Sequence, residues 1–259
     1  MATSEAVMNN RRVAFILPIV FAAMPLMASA AIAQTATIYA ATIGETDQKT
    51  PEVSTGQMRQ ILADSSVIVL DTRPPAEFAN GHIPGAQNLQ VAPKEAVAAI
   101  EKLVGGDKGR ALVLYCNGPF CQASRRVSDQ LVAAGFTNVR RYQLGMPIWR
   151  ALGGPTEIAI EGVDRIYKDD RTAVFLDARS AEEFAKGSLP GAHNLPPDKA
   201  VKVQGSPMPA DDFNTRIVLF GSDAAQARAL AEALSKRPWH NVAYFAGSYE
   251  DLSAALKAE

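Results

Sequence analysis

One block of residues occurs twice in this chain with its internal spacing intact. Asp71-Thr72-Arg73, Glu77-Phe78, Gly81, Pro84-Gly85-Ala86 and Asn88 recur as Asp177-Ala178-Arg179, Glu183-Phe184, Gly187, Pro190-Gly191-Ala192 and Asn194. The apolar run Leu112-Val113-Leu114-Tyr115-Cys116 has a counterpart in Ile217-Val218-Leu219-Phe220-Gly221, and Asn138-Val139 is echoed by Asn241-Val242. Self-similarity at so long a period means two copies of one folding unit. Two units of roughly 100 residues each are therefore a more economical reading of the chain than one large domain.

Each unit alternates helical and extended patterns. Ser54 with Gln57 fits a helix-capping box, and Met58, Ile61 and Leu62 fall on one helix face. A buried strand follows at Val67–Leu70, ending at Asp71. Further on come a helix around Glu95–Leu103, the apolar run ending at Cys116, a helix expected from about Ser124 to Ala134, and a short strand near Asn138. Strands without polar alternation, separated by helices, predict an α/β fold with a central parallel sheet covered on both faces. Turn-forming Gly153-Gly154-Pro155 marks the expected boundary. The expected organisation is a first domain at 54–153 and a second at 154–259.

The preceding residues read differently. Basic Arg11-Arg12, the apolar run Val13–Ala30 and small residues ending at Ala33 have the order of a secretory signal peptide over 1–33. An uncleaved anchor is the alternative, against which Pro18 and Pro25 weigh. Residues 34–53, short of bulky apolar side chains, read as a linker. The expectation is an exported protein, periplasmic or secreted, with no stable membrane anchor after cleavage.

Charge and cysteine counts narrow the chemistry. With 26 Lys and Arg against 27 Asp and Glu, the chain lacks the broad positive field of a nucleic-acid binder. Two cysteines are too few for a disulfide scaffold, and with three histidines they leave a thin inventory for a metal site. Neither a metal nor a cofactor is expected.

The block D-x-R-x3-E-F-x2-G-x-[IL]-P-G-A-x-N, followed by an apolar strand ending in Tyr115-Cys116 and later by Gly145 and Trp149, resembles the tandem rhodanese-like (sulfurtransferase) family. Cys116-Asn117-Gly118-Pro119-Phe120-Cys121 resembles the C-N-G-P-x-C loop of an exported variant. The resemblance implies two doubly wound domains and transfer of sulfane sulfur through a persulfide on Cys116. The donor would be a small anion such as thiosulfate and the acceptor a thiol or a protein. It also implies a substrate-binding loop of Asn117, Gly118, Phe120, Gln122, Ala123 and Ser124.

Position supports Cys116 independently. A residue between the carboxyl end of a parallel strand and the next helix lies where open α/β sheets bind ligands. Loop amides and a helix amino terminus there favour an anion and lower a thiol pKa. Cys121 leaves three readings side by side: a disulfide closing the loop, a thiol resolving the Cys116 persulfide, or a pair exchanging disulfides with a partner. A non-catalytic binding module is the other alternative to an enzyme. A phosphatase is set aside, because the sixth residue after each cysteine is Gln122 or Val127 rather than an arginine.

In the second repeat Gly221, Ser222 and Asp223 stand where the first has Cys116, Asn117 and Gly118. Without a thiol, and with Asp223 suited to capping a helix, this repeat reads as catalytically silent. The pairs Asp71/Arg73 and Asp177/Arg179 occur in both halves and are assigned to structure, as are Glu77 and Glu183.

Overall fold

The computed structural model describes residues 48–202 and 207–257. The expected signal peptide lies outside them. Among the described residues, no helix is long and apolar enough to cross a membrane.

The first repeat runs α1 (Thr55–Asp64), β1 (Ile68–Asp71), α2 (Pro75–Ala79), β2 (Gln87–Asn88), α3 (Ala96–Leu103), β3 (Leu112–Tyr115), α4 (Gln122–Ala133), β4 (Val139–Tyr142) and α5 (Gly145–Ala151). The second runs β5 (Thr156–Ile158), α6 (Ile160–Asp169), β6 (Val174–Asp177), α7 (Ala181–Ala185), β7 (His193–Asn194), β8 (Ile217–Gly221), α8 (Ala224–Leu234), β9 (Val242–Ser248) and α9 (Tyr249–Lys257). Short 3-10 turns at Pro93–Glu95 and Pro197–Lys202 complete the parallel between them.

Both sheets are wholly parallel, with strand orders β2-β1-β3-β4 and β5-β9-β8-β6-β7. The first also has an outer partner for β4. Val53 N–H donates to the Arg141 carbonyl (2.7 Å) and Arg141 N–H to the Pro51 carbonyl (2.9 Å). Pro51–Val53 thus takes the edge place that β5 holds in the second sheet, and Val53 is buried. The ordered unit begins before Ser54, inside the stretch expected to be linker.

Alternation along the central strands sends side chains to two cores. Leu70, Leu112 and Leu114 face Ile100 of α3 and Val127 and Leu131 of α4. Val69, Val113 and Tyr115 face Met58 and Ile61 of α1 and Met146 and Trp149 of α5. The second sheet divides likewise, with Leu176 and Leu219 toward α8, and Phe175, Val218 and Phe220 toward α6 and α9. A fully buried Leu or Ile contributes about 1.5–3 kcal/mol, so these faces dominate cohesion and explain why the strands carry no polar alternation. Tyr142, Trp149, Tyr244 and Phe245 are all buried core residues, with Tyr142 and Trp149 packed edge to face.

The repeats are joined through backbone. His82 and Glu157 form an antiparallel bridge with two hydrogen bonds of 2.9 Å, and Ala159 N–H donates to the Ala79 carbonyl at 3.0 Å. His82 is buried, stacks on Phe78, and sets its Nε2 3.8 Å from a Glu157 carboxylate oxygen. In the second repeat the same place belongs to Ser188, whose hydroxyl donates to Asp177 at 2.6 Å. The histidine therefore serves the junction between repeats, a role the second copy has no use for.

Candidate functional site

At the carboxyl end of β3 the chain passes through Cys116–Cys121 directly into α4. Cys116 is 3% exposed, whereas Phe120 stands out at 79%. The helix begins at Gln122, two residues earlier than the sequence suggested. Its amino-terminal flank is Cys121, in an extended conformation without a side-chain cap, and its first turn holds no acidic residue. Gln122, Ala123 and Ser124 consequently belong to that first turn rather than to the loop, and Ser124 is buried. The amino end of a twelve-residue helix, uncapped by side chain or carboxylate, faces the cysteine loop.

Cys116 and Cys121 are joined as a disulfide, with their Cα atoms 6.1 Å apart. Cys121 N–H donates to the Gly118 carbonyl at 3.0 Å, making the loop a tight turn. Gly118 has φ 94°, so glycine is the residue that permits this turn.

Neighbouring segments hold the loop from outside. Met146 N–H donates to the Cys116 carbonyl at 3.2 Å. Gly145, at φ 61°, leaves no room for a Cβ, which would overlap the Cys116 carbonyl and the Gly118 backbone. Asn117 donates to Glu77, and Gln143 reaches the Pro119 carbonyl at 3.5 Å. The contribution of Glu77 is not visible in a linear reading, because Glu77 and Asn117 are forty residues apart. The same contact is nevertheless built into the second repeat, where the Ser222 hydroxyl donates to Glu183 at 3.4 Å.

Beneath the loop lies a buried ion pair. Arg73 contacts both carboxylate oxygens of Asp71, the shortest contact being 2.6 Å, and donates to the Gly81 carbonyl at 2.9 Å. Arg179 does the same to Asp177 (2.7 Å) and to the Gly187 carbonyl (2.8 Å). Asn88 and Asn194 tie these motifs to the following strands by donating to the carbonyls of Asp71 and Arg73, and of Asp177 and Arg179. In the first repeat the pair reaches toward the cysteine through Tyr115. The Tyr115 hydroxyl accepts from Ile83 N–H at 3.1 Å, and burial together with the Asp71 charge pushes its pKa well above the ordinary phenol range. The residue before Cys116 is thus a neutral, fixed phenol.

The corresponding end of the second sheet is closed by its own residues. Gly221 ends β8, and Asp223 caps α8, its carboxylate accepting from Gln226 N–H at 2.8 Å. The Gln226 side chain turns back to accept from Ser222 N–H at 2.9 Å. There is neither a thiol nor an open helix terminus.

The family model described as rhodanese-like domain matches twice, over residues 54–152 and 161–255. The HTH-type transcriptional regulator Rv0324 of Mycobacterium tuberculosis is 35% identical over 91 residues, which span 35% of this chain and 38% of that protein. A thiosulfate sulfurtransferase from Pseudomonas aeruginosa is similar in structure at 19% identity and a TM-score of 0.37, over 79% of this chain and 42% of that one. The rhodanese-like domain of the Anabaena protein Alr3790 is 28% identical with a TM-score of 0.32, over 36% of this chain and 99% of that domain. This chain spans well under half the length of the first two.

Proposed function

Because the chain belongs to the rhodanese-like domain family, we propose that its first repeat is a sulfurtransferase with Cys116 as sulfur carrier. The observation that carries this reading is the placement of Cys116 between β3 and the uncapped amino end of α4, where the second repeat has Gly221 and a helix capped by Asp223. An open helix terminus stabilises both a thiolate and an incoming anion, and a carboxylate cap opposes both.

The chemistry requires the disulfide to be opened first by a thiol reductant. The freed Cys116 thiolate attacks the outer sulfur of thiosulfate, the S–S bond of the donor breaks, and sulfite leaves with the electron pair. The enzyme then carries a Cys116 persulfide. A nucleophilic acceptor, such as cyanide in an assay or a thiol, attacks the terminal sulfur and restores the thiolate. The signal-like order of residues 1–33 supports an exported setting for this chemistry, in which oxidation to the Cys116–Cys121 disulfide would protect the thiol between cycles.

Thiol–disulfide exchange with a partner is the second reading, favoured by the disulfide itself. Thiocyanate formation from thiosulfate and cyanide by the reduced protein separates the two. Sulfur transfer predicts turnover that is lost in Cys116→Ser and kept in Cys121→Ser. No turnover by the reduced wild type, together with oxidation of a dithiol substrate by the disulfide form, would establish exchange instead.

A further inference from the structure

Away from the cysteine loop, a cavity of about 170 Å³ lies between the repeats, beside the start of β8. Its polar lining comes from both: Asn80 and Arg150 from the first, Thr156, Arg216 and Asn241 from the second. Among the described residues that line it there is no carboxylate.

Arg150, near the carboxyl end of α5, is the unusual member. Its Nε is buried without a hydrogen-bond partner, and it makes no ion pair with any described residue. Burial, then the like charges of Arg73 and Arg216, pull its pKa down to about 10, so it keeps its proton at neutral pH. A buried cation without a counter-charge is costly, whereas the same guanidinium opposite an anion is well matched. Arg216 is half exposed and lies 3.6 Å from Asp170 at its rim, close enough to turn inward. The carbonyl oxygen of the Asn80 side chain accepts from Arg165 at 2.9 Å, which leaves its amide hydrogens as donors. The Thr156 hydroxyl is committed as donor to the Val242 carbonyl at 3.0 Å. The uncommitted donors are therefore the Arg150 guanidinium and the Asn80 amide, with the ion-paired Arg216 beside them, and the volume suits a tetrahedral oxyanion with one or two waters.

We propose that this cavity binds a small oxyanion of the sulfate, thiosulfate or phosphate type between Arg150 and Arg216, tying the two repeats together. The site is independent of Cys116 and of any sulfur transfer there.

Calorimetric titration of the full chain with sulfate, phosphate and thiosulfate, at ionic strength held constant with sodium chloride, tests this. Saturable binding of one anion and a rise in Tm absent with chloride alone are expected. Arg150→Met should weaken binding about tenfold or more and Arg216→Ala should also weaken it, while Cys116→Ser leaves sulfate binding unchanged. Arg150→Met should be at least as stable as wild type in anion-free buffer, because it removes an unpaired buried charge. The three anions distinguish the sources: the tightest of them identifies the physiological class, and equal affinity marks a general oxyanion site. Wild-type affinity in Arg150→Met would overturn the proposal. If that variant does not fold, undiminished binding by Arg216→Ala would overturn it equally, as would no saturable binding by the wild type.

Discussion

The ends of β3 and β8 are the same place in two copies of one fold, yet they are finished in opposite ways. Both are supported by an Asp-x-Arg ion pair clamped on a glycine carbonyl, and both by a glutamate that holds a residue of the following loop, Asn117 in the first and Ser222 in the second. Where the first continues through Cys116–Cys121 into an uncapped helix, the second continues through Gly221 and Ser222 into a helix whose terminus Asp223 occupies. The scaffold needs the shared parts in either case, because they hold the strand end and the following turn. The thiol and the open terminus are absent from the second copy, so these are the parts on which the proposed chemistry rests.

If that division is right, the largest effects come from the strand ends themselves. Moving the thiol by Gly221→Cys in a Cys116→Ser background should leave thiosulfate:cyanide transfer at least about a thousandfold below wild type, because the new thiol meets a capped helix rather than an open one. Recovery of transfer in that double variant would erase the distinction between the two ends.

The shared clamp should behave alike in both copies for stability and differently for activity. Arg73→Ala and Arg179→Ala each strand a buried carboxylate and should cost about 3–5 kcal/mol in denaturant unfolding. Transfer per folded molecule should fall only for Arg73→Ala, whose neighbour Tyr115 precedes the cysteine. Equal activities in the two variants would detach the clamp from the site.

Asp223→Ala removes a cap that the first repeat does without. It should cost about 1 kcal/mol and leave transfer unaltered. A smaller effect is expected at the junction. Glu157 has its pKa lowered, chiefly by the neighbouring His82 imidazole. A carboxylate depressed in the folded state adds stability above its unfolded pKa of about 4.3 and loses that contribution as pH falls through the folded value. Glu157→Gln should flatten this part of the acid-unfolding profile by less than about 1 kcal/mol, and an unchanged profile would remove His82–Glu157 from the account of how the repeats are joined.

What the sequence made legible follows from the range of the forces involved. Strands β1, β3, β6 and β8 announce themselves as unbroken apolar runs because both faces of a parallel sheet are covered, and α1 carries its start signal in Ser54 and Gln57. Pro51–Val53 has no such signature, since an edge segment of three residues is defined by its partner β4 rather than by its own pattern. The sequence puts the start of α4 at about Ser124, after a longer loop, whereas the helix flank is Cys121 with no side-chain cap at all. Contacts such as Asn117 with Glu77, or the cavity around Arg150, depend on packing between distant segments and have no local trace.

The central claim is that sulfur is carried on Cys116 and nowhere in the second repeat. Intact-mass and peptide analysis of the reduced protein after exposure to thiosulfate tests it directly. The account predicts a gain of one sulfur atom on the peptide containing Cys116, abolished in Cys116→Ser, retained in Cys121→Ser and discharged by cyanide. No gain on the reduced wild type, or a gain that persists in Cys116→Ser, would contradict it.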